Sequence, residues 1–460
     1  MREVTLKQVA AWIGGTVEPR FENIVISSFC HDSREAVTGT LFFALVANAD
    51  GHNFIESALN NGAVAAVISH PIDIPCPVIM VADTHQALMD AAREYKRSLN
   101  CKTVAITGSV GKTTTRTMIT ALLAKKYRTS CTYKNYNNDI GLPITIGKSA
   151  PDCEMLVLEM GMNHFGEISK LTQIGRPDIV VITNIGSMHI ENLGSREGIL
   201  QAKLEILEGL SEDGVAIFNG DEPLLWNLHD QKRCNTEYFG IDREECELRA
   251  TDVQLCGSSS HFRIIGKGYD FPVELAIPGL HNVYNAVSAI HVALLCDVTV
   301  ADIQETLKGF VNTSQRQQTF FWNNLTIIDD TYNAGPESME AALQVLGDTT
   351  GTTDRFRRIA VLGDMLELGN HASGEHHRIG RIAAYKADII LTYGKDSAKI
   401  VRGAITGGIG QRNAMNFDTH EALVNTLKNR VRPGDVLLFK GSHGMRMDLV
   451  LKAFMEQSDS

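Results

Sequence analysis

The sequence predicts an α/β protein of three domains. These are a small mixed α/β N-terminal domain over residues 1–83, a central parallel-sheet domain with a P-loop over 84–311, and a C-terminal, Rossmann-like, doubly wound domain over 312–460. Three observations predict it. A chain of 460 residues has room for several cores. Two long blocks alternate short apolar runs with helical patterns, which implies βαβ units and largely parallel sheets. One glycine-rich loop stands between such a run and such a helix.

In the first block, "VTLKQVAAWIGG" has helical spacing closed by a glycine pair, and "TLFFALV" (residues 40–46) reads as a strand. "NFIESALNNGAVAAVIS" runs helix, glycine stop, strand, and the polar helix "THQALMDAAREYKRSL" bridges to the next block. There "TVAITG" leads into the glycine loop and "KTTTRTMITALLAKKY" continues as a helix. "MLVLEMG", "DIVVITNIG" and "GVAIFNGD" are the buried parallel strands. The third block repeats the alternation with "LTIIDD", "RIAVLGD", "ADIILTYG" and "DVLLFKG", and with the helices "PESMEAALQVL" and "HEALVNTLKNRV". "GGIGQR" (residues 407–412) echoes a dinucleotide loop but does not directly follow a strand, so it reads as a surface turn.

Composition narrows the function. A hydrophobic content of 44% and a charged content of 21% are those of a globular protein. The formal net charge of −11 argues against a nucleic-acid binder, which needs a basic face to neutralise phosphates. Nine cysteines without any C-x-x-C pair read as reduced thiols rather than a zinc or disulfide framework. The amphipathic N-terminus has no apolar signal core, and no apolar run approaches the roughly 20 residues that span a bilayer. A soluble cytoplasmic protein is expected, without stable membrane insertion.

The loop "TGSVGKTTT" (residues 107–115) is two residues shorter than G-x-x-x-x-G-K-[ST], because Gly108 is the nearest glycine before Gly111. Gly108, Ser109, Val110 and Gly111 can still curl so that backbone N–H groups face phosphate oxygens. Lys112 can then reach the outer phosphates, Thr113 is placed for Mg²⁺, and Thr114 continues the helix N-terminus. Against a bare turn with an exposed lysine, strand, glycines, G-K-T and helix all agree on phosphate binding. Glu159, ending one strand, is a hard oxygen ligand suited to Mg²⁺. His189, ending another, reads equally as a metal ligand or as a hydrogen-bonded structural histidine. Strand carboxyl ends are where open α/β sheets bind ligands. Lys203, on a predicted helix, reads by itself as a solvated lysine. His281, Asn282 and Asn285 open the helix of "PGLHNVYNA", where amides could read a base edge. Asp329, Asp330, Tyr332 and Asn333 crowd the end of the "LTIIDD" strand.

These stretches together resemble the ATP-dependent Mur ligases, nearly end to end. The resemblance covers "DSREAVTGTLFFALVANADGHNF", "ITGSVGKTTT", "YNNDIGLP", "EMGMNHFGEI", "TNIGSMHIENLGSREGILQAKLEI", "PGLHNVYNA", "DDTYNAGPESM", "LGDMLELG" and "FKGSHGMRM". "NNDIGLP", "G-x-N-H-x-G-E-I" and "LGDMxELG" resemble the MurF branch. The D-N-P-R motif of MurE-type ligases is absent, and Met188 precedes His189 where MurD- and MurE-type ligases have aspartate. The short loop is the norm of this family.

The resemblance implies a three-domain enzyme whose N-terminal domain binds UDP, whose central domain binds ATP, and whose C-terminal domain closes over them. It would join D-Ala-D-Ala to UDP-MurNAc-tripeptide through an acyl phosphate for peptidoglycan synthesis, and act as a monomer. It implies that Lys112 binds the β/γ-phosphates, that Thr113 and Glu159 hold one Mg²⁺, and that His189 holds a second with a CO₂-carbamylated Lys203. Asn282 would meet the adenine, Arg316 the ATP phosphates and Asp330 the ribose. Ser33 and Arg34 would lie on the UDP side, with Asn137 and Asn138 facing the muramoyl-peptide. Gln315 stands where many relatives have glycine directly before this arginine. A MurE-type ligase, and a P-loop ATPase switch from a different class, are the alternatives; the N-K-x-D motif of a GTPase is absent.

Overall fold

The computed structural model describes residues 1–231, 234–312 and 315–456. Among the described residues, three large sheets and one two-stranded antiparallel ribbon, Val4–Thr5 with Val25–Ile26, organise the chain in the α/β arrangement read from the sequence.

The first is four-stranded and parallel, in the order Ser28–Cys30, Thr40–Phe43, Ala63–Ile68, Val78–Met80. The strand expected over residues 40–46 stops at Phe43. Helix Thr84–Ser98 follows, its first turn capped by Asp83, whose Oδ1 accepts the N–H groups of His85 and Gln86 at 2.8 and 3.1 Å. One face of this helix places Ala87, Leu88 and Ala91 in the N-terminal core, and another places Met89, Ala92 and Tyr95 in the central core. It therefore welds the two units rather than hanging between them.

The second sheet has nine strands. Thr129–Cys131, Met155–Glu159, Lys102–Thr107, Ile179–Ile182, Val215–Asn219, Asn235–Gly240 and Leu248–Cys256 lie side by side in that order, all parallel. Their apolar runs are unbroken because both faces are covered. Val104, Ile106, Val157 and Val181 join one core, with helices Lys112–Leu123 and Leu280–Leu295; Ala105, Leu156, Leu158 and Val180 join the other. The sheet is not parallel throughout: Ser259–Gly266 and Tyr269–Leu275 extend its far edge as an antiparallel arm.

The third sheet runs Gln318–Trp322, Leu325–Asp330, Val436–Lys440, Arg358–Gly363, Ile389–Tyr393, Ala414–Phe417. All are parallel except the antiparallel edge strand Gln318–Trp322. The turn at residues 407–412 lies at the surface after helix Ala398–Thr406. The cysteines are all free.

Candidate active site

The glycine loop leaves strand Lys102–Thr107 and enters helix Lys112–Leu123, as its sequence requires. Gly108 has φ +152°, and a Cβ there would sit 1.9 Å from Thr183 Oγ1. Gly111 has φ +84°, and a Cβ there would sit 2.4 Å from Asn285 Oδ1. Both glycines are thus demanded by backbone and by space. The loop following strand Ile179–Ile182 splints it from outside. Val110 N–H donates to Asn184 Oδ1 at 3.0 Å, Val110 O accepts the Thr183 hydroxyl at 2.7 Å, and Ser109 Oγ accepts Gly186 N–H at 2.8 Å. Lys112 Nζ folds onto the carbonyls of Gly108 and Ser109 at 2.7 and 3.1 Å. Burial pulls its pKa down to about 8, with Glu159 opposing the shift and Arg316 adding to it.

Glu159 is buried at the end of its strand and engaged through both oxygens. Oε2 accepts the Thr113 hydroxyl at 2.9 Å and Arg116 Nη1 at 3.2 Å, while Oε1 accepts Asn137 Nδ2 at 2.8 Å. One carboxylate so ties the phosphate-loop helix to the loop of Asn137 and Asn138. Arg116, also buried, reaches the Lys134 carbonyl at 2.7 Å. The sequence reading passed over Arg116; its signal was a cation one turn after Thr113 on the same helix.

His189 adopts φ +66° at the start of a short helix, a left-handed conformation uncommon for non-glycine residues. Its Nδ1 lies 2.6 Å from Glu367 Oε2 of the C-terminal unit, a close approach whose angle falls outside hydrogen-bond geometry. Lys203 corrects the reading of a solvated lysine: it is 2% exposed on helix Arg196–Leu204. Among the described residues no hydrogen bond or ion pair engages its side chain. Burial, with the nearby Lys112 charge adding, holds its pKa well below the usual lysine range. The periodicity carried the signal, since Ile199, Leu200 and Ile206 share its face and are buried.

The opposite wall begins at helix Leu280–Leu295. Asn285 Nδ2 donates to Asn282 Oδ1 at 3.2 Å, and Gln317 Oε1 sits 2.8 Å from His281 Nε2 and 3.3 Å from Asn282 Nδ2. Arg316 stacks on the Tyr332 ring at 4.0 Å. Asp330 pairs with the buried Lys440 at 2.6 Å, the two being register partners at the ends of neighbouring strands. Lys440 also donates to the Asn333 carbonyl at 2.9 Å.

All these walls enclose one cleft of about 980 Å³ between the central and C-terminal units. Of the residues singled out in the sequence, it gathers Ser109 to Thr114, Asn137, Asn138, Glu159, His189, His281, Asn282, Asn285, Arg316, Asp330, Tyr332 and Asn333. Gly108 stands behind the loop and Lys203 beneath the surface. Ser33 and Arg34 lie apart in the N-terminal unit, where Arg34 forks onto Asp32 with contacts of 2.9 and 2.6 Å. Asp329 is buried and raised in pKa by that burial.

A second group with metal-ligating side chains, Asp50, His52 and His70, lies in the N-terminal unit. His52 Nδ1 meets Asp50 at 2.6 Å and its Nε2 accepts Ser69 N–H at 3.0 Å, so neither ring nitrogen is free for an ion. That trio is a brace.

Comparison with known proteins agrees with this architecture. Residues 106–293 match the Mur ligase middle domain, and residues 315–443 match the Mur ligase, glutamate ligase domain. The UDP-N-acetylmuramoyl-tripeptide–D-alanyl-D-alanine ligase of Bacillus subtilis is 38% identical over 98% of each chain. The chain belongs to the Mur ligase family, in its MurF branch. The Escherichia coli ligase of the same description is 32% identical over 99% of each chain. Among solved structures, MurF from Acinetobacter baumannii superposes with a TM-score of 0.89 at 31% identity, covering 99% of this chain and 100% of that one. MurF ligase from Thermotoga maritima in complex with ADP gives 0.81 at 29%, covering 93% and 97%. A solved ligase that adds 2,6-diaminopimelate instead is only 16% identical.

Proposed function

We propose that this chain is a cytoplasmic ligase that joins D-alanyl-D-alanine to UDP-N-acetylmuramoyl-tripeptide at the expense of ATP, yielding ADP, phosphate and the pentapeptide precursor of peptidoglycan. The observation that carries the reading is the single cleft. It brings a phosphate loop, a buried carboxylate–hydroxyl pair and the polar strand ends of the C-terminal unit onto one space, in a chain that aligns throughout with ligases so described.

A carboxylate is a poor electrophile, so activation comes first. A terminal carboxylate oxygen of the tripeptide attacks the γ-phosphorus of ATP, and ADP leaves. The dipeptide amine then attacks the carbonyl carbon, the bond to the phosphate oxygen breaks, and phosphate departs with the electron pair. The loop N–H groups and Lys112 bind the charge that gathers on the transferring group. Asn282 and Asn285 meet the base, Asp330 the ribose, and Arg316 the phosphates from the opposite wall. Ser33 and Arg34 lie on the side that receives the uridine diphosphate, with Asn137 and Asn138 toward the peptide. Enclosure between the units keeps water from the acyl phosphate.

The donors suit Mg²⁺: Thr113 and Glu159 present hard oxygens already 2.9 Å apart. When bound, Mg²⁺ supplies positive charge to the phosphates, held by Thr113 and Glu159 and, for a second ion, by His189 with a carbamylated Lys203. Lys203, buried and unpaired among the described residues and with its pKa lowered, supports that modification, since CO₂ adds to a neutral amine and the carbamate would carry the negative charge a cation needs.

Purified protein given UDP-MurNAc-tripeptide, ATP and D-Ala-D-Ala is expected to release phosphate only when all three are present. Release that ignores the dipeptide would refute the assignment. ¹³CO₂-equilibrated enzyme should show a carbamate resonance that Lys203→Ala abolishes together with turnover; a Lys203→Ala protein of near-full activity would sink the carbamate role.

A further inference from the structure

Two carboxylates of the C-terminal unit grip one loop of the central unit. Glu337, in the first turn of helix Pro336–Asp348, receives both Ser187 N–H and Ser187 Oγ on Oε1, each at 2.8 Å. Gly186 allows this approach, because a Cβ there would stand 2.7 to 3.0 Å from the Glu337 carboxylate. Two residues on, His189 faces Glu367. The same loop splints the phosphate loop through Thr183, Asn184 and Gly186, as described above. Contacts are therefore continuous from Glu337 through Ser187 and Gly186 to Ser109 Oγ, and from Glu367 to His189. Glu337 also leaves Oε2 buried without a hydrogen-bond partner among the described residues. A carboxylate partly stripped of water costs more at an interface than a neutral contact would, which singles it out from ordinary packing.

We propose that Glu337 is a positioning residue that makes the phosphate loop and His189 competent only while the C-terminal unit is docked. Glu337 holds the 183–189 loop in the shape that braces the phosphate loop. Glu367 lies against the imidazole on its Nδ1 side, so that Nε2 is the nitrogen turned to a ligand. Neither carboxylate needs to touch the reacting atoms. The inference rests on the ligase reading above for its kinetic consequence, but its structural consequence stands alone.

The test is a double-mutant cycle across the cleft in the full-length enzyme, using Glu337→Ala, Ser187→Ala and the pair. Loss of two hydrogen bonds to a carboxylate should lower kcat for dipeptide-dependent phosphate release by about 10- to 100-fold, with the KM for ATP changed by less than about threefold. The double variant should be no slower than Glu337→Ala. Glu337→Gln, which keeps an acceptor for both Ser187 donors, should recover turnover to within about threefold of the parent. Small-angle scattering gives the second readout: parent saturated with a non-hydrolysable ATP analogue and UDP-MurNAc-tripeptide should be more compact than Glu337→Ala under the same ligands. Additive effects in the cycle, or unchanged kcat in Glu337→Ala, would overturn the proposal, and so would equal compaction of the two proteins. Absence of dipeptide-dependent turnover in the parent would instead defeat the ligase reading, leaving the scattering comparison to decide the coupling.

Discussion

Lys112 and Lys203 place two amines inside one unit, each with its pKa lowered first by burial. For Lys112 the sign can be worked through. The unfolded side chain titrates near 10.4 and the folded one near 8. Between these values the unfolded chain holds a proton that the folded chain has lost, so stability rises as pH climbs through that window. Below about pH 8 both states are protonated and the burial penalty, about 3 kcal/mol, is fully present. Lys112→Met should therefore make the ligand-free protein more stable at pH 7, with the gain fading towards pH 10, while cutting turnover by about 10²- to 10³-fold. Urea unfolding at pH 7 and 9.5 checks it; a variant less stable than its parent at pH 7 would contradict the burial argument. Such a trade of stability for function was partly legible in the chain. The G-K-T context named Lys112 outright, whereas Lys203 needed the helical period to be read through a charged residue, which polarity alone argues against.

At the scale of elements, the parallel strands were readable because burial on both faces leaves long β-branched runs, as in "TVAIT" and "DIVVIT". The strand Leu248–Cys256 and the antiparallel arm that follows it were not, although the turns at Gly257 and at Lys267 with Gly268, all of positive φ, are hairpin signals. These strands alternate buried with partly buried residues or run out into solvent, so they lack the unbroken apolar run used to find the others. Gln315, directly before Arg316, has φ +62°, a left-handed conformation that a non-glycine residue adopts at a cost. Glu337 and Glu367 sit within motifs the sequence displays, yet their partners lie more than a hundred residues away, and only the assembled fold pairs them. The element most exposed to a single change is the phosphate loop. Gly111→Ala combines a left-handed backbone with a Cβ 2.4 Å from Asn285 Oδ1, so the Asn285 amide must leave its place and the loop is strained besides. ATP affinity measured by calorimetric titration should fall at least about tenfold, the factor that ~1.4 kcal/mol of strain implies, within the range expected for a non-glycine residue there. Unchanged affinity would mean that the loop adapts freely and that the glycine serves no steric purpose.

For the whole molecule, the distribution of apolar contacts sets how it comes apart. The N-terminal and central units share helix Thr84–Ser98, whose buried residues divide between their two cores. The C-terminal unit has cores of its own, over residues 325–454, and meets the central unit through polar contacts such as Ser187 to Glu337. Polar interfaces of this kind couple domains weakly, so two-state unfolding is not expected. Scanning calorimetry of the ligand-free protein should resolve two transitions, one for the welded N-terminal and central units and one for the C-terminal unit. ATP changes the coupling, because its proposed contacts come from both sides: Lys112, Thr113 and Asn282 from the central unit, Arg316 and Asp330 from the C-terminal unit. A ligand that binds only the assembled cleft stabilises both partners, by about 2.7 kcal/mol at a hundredfold excess over Kd. A non-hydrolysable ATP analogue with Mg²⁺ should therefore raise both transitions and draw them together. UDP-MurNAc-tripeptide alone, received by the N-terminal unit and the peptide side of the central one, should raise chiefly the welded transition. If the nucleotide moves only one transition, ATP is held by a single unit, and the C-terminal wall takes no part in binding it.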